Sequence, residues 1–360
     1  MKKTNFTKKT HARLFNLPLL SLIFVFTFSS CHQYLDILDE LHGSKPEPVP
    51  DTGTARLFVS NASATNTLHI YDPADAPTSL GMPRVVQTDA EDGNGVAVAP
   101  LGNMLFQVGR TDGVIKIFGS ATKLTGTPPL LTSFSDPAMT SGREIAFDED
   151  RQLLYVANNV DSTILVYNNP VSWDGMVSSL RKFKVAGQPW GIHFDKANNR
   201  LFVLLDLEAR TIEVYNNPGA LQGGKVTPDR SFKIAGSTRL HGITYSSKAD
   251  VLIVTEIGAA AGGNFASDGG IYIFENAKNV INSSKAEVMP TRTIKGAVNT
   301  SLGNPVDVAY DDRNGKKRIY VAEKANKKIL VFKLKDEGDV KPMISADAQE
   351  SPEAIFLDVR

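Results

Sequence analysis

The chain is poor in what most stabilising staples and common active sites require. It has one cysteine, Cys31, in 360 residues. A single thiol excludes an internal disulfide framework, a thiolate zinc site and an iron–sulfur cluster built by one chain. No GxSxG elbow and no HExxH pair occurs, which removes the common serine-hydrolase and zinc-protease signatures. Apolar runs long enough to cross a bilayer are also missing. The longest, Leu17 to Phe28, is about a dozen residues where roughly 20 are needed. Nor is there an excess of base, since Lys+Arg and Asp+Glu are equal at 39 each. A phosphate-backbone binder needs a basic face that releases counterions, so nucleic acid is not an expected partner.

What is present begins at the N-terminus. Lys2, Lys3, Lys8, Lys9 and Arg13 precede the apolar run, which stops at Ser29, Ser30 and Cys31. Basic flank, short apolar run and small residues describe a signal peptide over residues 1–30. The FSSC segment resembles a bacterial lipobox, with Phe28 where that pattern usually has Leu. The resemblance implies that Cys31 is lipidated and that the mature protein is held in the bacterial cell envelope, at the outer membrane, facing the periplasm or the cell surface. Contact with the membrane is then expected through the N-terminal lipid alone. Residues 31–53, ending in KPEPVPDTG, read as an extended proline-rich stalk. Without the leader the charges stand at 34 basic against 39 acidic, a mildly acidic domain.

From Thr54 onward short apolar stretches alternate with Gly, Asn, Asp and Pro, the texture of all-β structure. RLFVSN, MLFQVG, LLYVAN, RLFVLL, VLIVTE and RIYVAE are six copies of one strand. Their central residues, Phe58, Phe106, Tyr155, Phe202, Ile253 and Tyr320, step by 48, 49, 47, 51 and 67. A period near 45 residues predicts a propeller. Each copy is followed by a second strand, such as ILVY or IEVY, and several by a third, such as RKFKVAG or RSFKIAG. An inner strand precedes five of them: GVAVA, EIAFD, GIHFD, GITYS and DVAYD. The sixth inner strand is at the far end, where SPEAIFLD matches QPWGIHFD. The expected fold is therefore an all-β six-bladed β-propeller over residues 54–360, with four-stranded blades and the ring closed by the C-terminal strand. Inner-strand pairs such as Val96 and Val98, or Ile145 and Phe147, are expected to pack between blades.

Units such as GREIAFDEDRQLLYVANNVDSTILVYNN resemble the NHL-type and YVTN-type propeller repeats. That resemblance covers essentially the whole of residues 54–360. It implies architecture and leaves function open, because such rings serve binding proteins and enzymes alike.

In a propeller the start of each inner strand and the end of the next strand meet at one mouth of the central channel. The first set of equivalent positions is Asn94, Arg143, Trp190, His241, Val306 and Glu353. The second is Asn61, Gly109, Asn158, Leu205, Glu256 and Glu323, with Asp206 beside it. Positions that only pack should stay alike across repeats, whereas these diverge into Asn, Arg, Trp, His and Glu. The candidate ligand site is accordingly Asn94, Arg143, Trp190, His241, Glu353, Asn158, Asp206, Glu256 and Glu323. A protein, peptide or glycan could stack on Trp190 and hydrogen-bond the others.

The main expectation is a non-enzymatic binding propeller with no cofactor. The alternative is a Ca2+-dependent lactonase- or esterase-like hydrolase using the same oxygens, since a hard cation prefers oxygen ligands. A spacer that makes contacts by its rim is a third reading. Gly258 to Gly270 is expected to be a loop on the mouth face, and Asp311 to Lys317 a strand-connecting turn.

Overall fold

The computed structural model describes residues 53–260 and 265–360. The expected leader, the lipidation at Cys31, the stalk up to residue 52 and the centre of the Gly258 to Gly270 loop lie outside the described residues. The described chain forms six antiparallel sheets around one axis, in chain order. The inner strands are Pro352–Asp358, Gly93–Ala99, Gly142–Asp148, Pro189–Asp195, Leu240–Ser246 and Pro305–Asp311, for blades 1 to 6. The C-terminal strand pairs with Arg56–Asn61, Phe58 facing Phe356, so first and last segments share blade 1. All six sheets then have a paired inner edge, and no first blade is left open.

The alternation read from the repeats decides how the blades pack. Phe58, Phe106, Tyr155, Phe202, Ile253 and Tyr320 are all fully buried in their second strands. Six apolar clusters form, each between two neighbouring blades. Val96 and Val98 join Phe58 and Ile70 between blades 1 and 2. Ile145 joins Phe106 between blades 2 and 3, where the rings of Phe106 and Phe147 lie 4.7 Å apart. Ile192, Ile243, Val308 and Ile355 repeat the arrangement around the ring. Burial of this kind is worth roughly 25 cal/mol per Å2 of apolar surface, and it supplies the core without a metal or a disulfide.

The outer strands are joined in a way that the repeats do not announce. Gly175–Met176 pairs parallel with Thr132–Ser135 of blade 2, Gly224–Lys225 with Arg181–Lys184 of blade 3, and Glu287–Val288 with Arg230–Ile234 of blade 4. Gly126 and Gly338 make single bridges of the same kind to Val86 and Ile294. In each case the linker of one blade adds an edge to the blade before it, giving three of the four-stranded sheets a short fifth strand. Gly126, Gly175, Gly224 and Gly338 have φ of 62°, 69°, 90° and 70°, a backbone region that glycine enters at little cost. Asp311 to Lys317 is a strand end and the turn into Arg318–Glu323, held by Arg313 Nη2 on Asp311 Oδ2 at 2.7 Å.

Ring closure carries a direct test. A chain ending at residue 350 lacks the inner strand of blade 1. It is expected to unfold at a clearly lower denaturant concentration and to self-associate through the exposed edge of Arg56–Asn61, as read by circular dichroism and light scattering.

Candidate ligand site in the central channel

Every inner strand carries one extra residue near its start. In blade 3 the register runs from Gly142 opposite Asn158 to Ile145 opposite Val156, and the same shift recurs in the other five blades. A bulge of this kind bends the strand and re-aims side chains. The bulges hold Asn94, Arg143, Trp190, His241, Val306 and Glu353, the first set of mouth positions. The next residues are Gly95, Glu144, Gly191, Gly242, Asp307 and Ala354.

At the mouth the structure brings five of the expected residues into one chain of contacts. Lys324 pairs with Glu353, and Arg143 Nη1 lies 3.9 Å from Glu353 Oε1. The Arg143 guanidinium sits 3.9 Å above the Trp190 ring, a cation–π contact. On the other side of that indole the His241 ring stacks at 3.8 Å and 19°. His241 Nε2 is 3.2 Å from Asp206 Oδ2, and Arg239 Nε donates to Asp206 Oδ1 at 3.0 Å. Burial pushes the Asp206 carboxyl up, but His241 and Arg239 outweigh it and hold it well below the usual carboxylate range. Burial also lowers His241, so its ring is favoured neutral, and lowers Arg143 to about 10, leaving it charged. Both faces of Trp190 are thus occupied by protein. The expected stacking of a ligand on Trp190 has no free face to use.

The second set serves the backbone instead. Asn158 Oδ1 accepts from the amides of Thr140 and Ser141, each at 3.0 Å. Glu256 accepts from Thr238 N and Tyr272 Oη, both at 2.8 Å, and from Lys295 at 2.6 Å. Glu323 accepts from the amides of Gly303, Asn304, Ala325 and Asn326 at 2.9 to 3.3 Å. These side chains hold the loops that enter each blade. Asn94 is buried, and its Nδ2 has no hydrogen-bond partner among the described residues.

Calcium at this mouth would need oxygens free of other duties. Glu256, Glu323 and Asn158 are spent, and Glu353 faces two cations. Among the described residues no three His, Cys, Asp or Glu side chains are grouped to hold a metal ion. The donor set does not fit calcium.

One residue further along each strand the channel narrows to a waist. A Cβ on Gly191 would fall 2.1 Å from the His241 carbonyl oxygen, and one on Gly95 would fall 2.5 Å from that of Arg143. Backbones meet here, and two acids fill the space the glycines leave. Glu144 from blade 3 and Asp307 from blade 6 belong to opposite blades, yet their carboxyls are within hydrogen-bonding reach across the axis. Glu144 Oε1 also accepts from Ile145 N at 3.0 Å. Asp307 accepts from Val308 N at 2.8 Å and Ile355 N at 2.7 Å. Burial first, and then the neighbouring carboxyl, raises Glu144 well above its ordinary value; burial raises Asp307 to about 7. Like charges this close cannot both ionise readily, so the pair shares a proton.

Below the waist the channel widens into a cavity of about 710 Å3 that opens on the face opposite the mouth. Its inward positions are Ala97, Ala146, His193, Thr244, Ala309 and Phe356, with Phe147, Phe194 and Tyr310 among the walls. Burial lowers His193 to about 4, so it is neutral near pH 7. Glu144, Asp307 and His193, further along the inner strands than the expected mouth residues, were not singled out from the sequence. The signal was in the aligned copies: where four inner strands have Gly or Ala, two have an acid.

No family model matches this chain, and no curated protein matches it. Solved structures do. The nidogen–laminin complex includes a chain with a TM-score of 0.58 and 13% identity, covering 84% of this chain and 98% of that one. A protein of Bacteroides uniformis described as a "putative 6-phosphogluconolactonase" matches with a TM-score of 0.54 and 15% identity, covering 88% and 89%. Its counterpart from Bacteroides fragilis, described in the same words, matches at 0.54 and 11%, covering 87% and 100%. Likeness at this identity is likeness of fold. The fold shared is that of a β-propeller, here with six blades.

The waist makes stability depend on pH in a defined window. From pH 6.5 upward the unfolded chain releases the last of its histidine protons, which opposes the trend where burial keeps His69, His193 and His241 neutral, but Glu144, Asp307 and Glu323 still hold protons in the folded state that the unfolded chain has already released. Stability should therefore fall as pH rises from about 6.5 to 8. Glu144→Gln gives Asp307 an amide donor and should flatten that fall, leaving the part due to Glu323; urea midpoints at pH 6.5, 7.25 and 8 measure it. Gly191→Ala should cost about 1–3 kcal/mol by overpacking the waist.

Proposed function

We propose that this protein binds a small ligand in the cavity below the waist, on the face opposite the mouth. The observation that carries the reading is the cavity itself, apolar in its walls and closed at one end by a carboxyl pair and a neutral histidine. Ligand sites are typically concave and mostly apolar, with a few convergent polar groups. Perturbed carboxyls gather at such sites. The mouth, by contrast, is filled by its own Arg143–Trp190–His241 stack, and supports a reading in which it closes the channel and leaves the partly exposed Lys324 at its edge. We further propose, on the leader and the FSSC segment, that the propeller works at the bacterial envelope, tethered by lipid on Cys31.

A second reading, metal-free hydrolysis of a lactone or ester, draws on the same pair. A proton shared by two carboxyls gives one acid and one base. The ionised carboxylate would take a proton from water as it adds to the carbonyl, and the protonated carboxyl would return one to the leaving oxygen. The shared fold of the two Bacteroides propellers supports trying lactones first.

Two measurements separate these readings. Thr244→Phe fills the cavity from a partly open wall position, and is expected to abolish the thermal shift caused by any small aromatic or aliphatic ligand that stabilises the native protein. Retention of the shift would place the ligand elsewhere. Hydrolysis, if this is the activity, should survive EDTA and fall by about 100-fold or more in Glu144→Gln, the scale of a lost general acid or base. Turnover that EDTA stops or that Glu144→Gln leaves intact would overturn that mechanism.

A further inference from the structure

We infer that the ligand of the lower cavity is an organic cation, an ammonium or guanidinium head carried on an apolar or aromatic stem. This rests on the cavity being the ligand site.

The head group follows from the charges at the closed end. Glu144 and Asp307 meet there, and among the described residues neither stands in an ion pair with a lysine, arginine or histidine. Glu353 lies on the mouth side of Asp307 and adds negative potential. The nearby cations, Arg143 and Lys324, are engaged with Glu353. Two carboxyls held together, Asp307 buried and Glu144 partly so, are expensive without a cation unless protonated, and a cation delivered between them would remove that cost. An anion would meet both carboxyls, and a neutral group would leave the proton in place.

The rest of the ligand follows from the walls. Phe147, Phe194 and Phe356 present partly open rings below the carboxyls, and Ala97, Ala146 and Ala309 leave the width for a stem. Tyr310 adds an aromatic wall to the same space. His193, neutral, offers a ring nitrogen to an ammonium proton. At the outer rim Lys196 bonds Asp150 at 2.8 Å and Lys248 lies 3.7 Å from Asp312, so the entrance carries paired charge of both signs. Glu149 and Asp195 complete the rim.

The test is isothermal titration of the purified full chain with three probes of one shape: 2-phenylethylamine, neutral 2-phenylethanol and anionic phenylacetate. The amine should bind at least about tenfold more tightly than the alcohol, and phenylacetate should give no heat. Amine affinity should rise from pH 6 to pH 8, because the pair must release its shared proton, by up to about tenfold per pH unit for one proton. Glu144→Gln, which keeps the shape and the hydrogen bond to Asp307, should weaken the amine by about tenfold or more, with unfolding midpoints confirming that the variant is folded. Equal affinity for amine and alcohol, or an unchanged affinity in Glu144→Gln, would overturn the cation while leaving the site. Binding of none of the three, or amine binding that Thr244→Phe does not weaken, would overturn the site reading as well.

Discussion

Six inner strands have to converge on one axis, and the space left where they are closest governs the molecule. At that level Gly95, Gly191 and Gly242 let backbones approach to distances that no Cβ would permit. Ala354 completes the small set. The two positions that are not small are acids from opposite blades, and they reach into the only volume available, which is the axis itself. Their meeting divides the channel. Above it, the bulges of five strands throw a polar or aromatic side chain toward the mouth, and that of blade 6 carries Val306; below it, alanines in three blades open a cavity of about 710 Å3.

The two halves of the channel are electrostatically different for this reason. The mouth holds charges of both signs in contact, Lys324, Glu353, Arg143, Asp206 and Arg239, with Trp190 and His241 layered between them. Such a network sets each charge against one of opposite sign. Below the waist, among the described residues, no lysine, arginine or histidine forms an ion pair with the two carboxyls, so the balance there is met by a shared proton or by something brought from outside. Burial is the larger cause of the raised carboxyls, and proximity the smaller. A ligand that displaces the proton therefore works against an electrostatic cost already present in the empty fold.

Divergence among aligned positions pointed to the mouth, and the structure shows how such divergence arises from two different physical demands. Asn158, Glu256 and Glu323 differ because each captures the backbone of a differently shaped entering loop. Arg143, Trp190, His241 and Glu353 differ because they must fit one another around a ring, not because each repeats a task. Neither demand requires a ligand. Glu144 and Asp307 are the opposite case, two exceptions in a row of small residues. Exceptions to smallness at a crowded level are a sharper sign of chemistry than variety at a roomy one.

The sequence alone determined the number of blades, the identity of their strands and the closure by Pro352–Asp358, because strand alternation and a recurring apolar pattern are local properties that a one-residue slip would destroy. It also determined which aromatic side chains fill the blade interfaces. What only the tertiary structure decided is which residues meet. The extra residue in each inner strand shifts the channel-facing set by one position, and sequence spacing does not reveal a bulge until the partner strand is in register. Glu144 and Asp307 are 163 positions apart, and their pairing depends on blades 3 and 6 standing opposite each other, a consequence of closing six units into a ring.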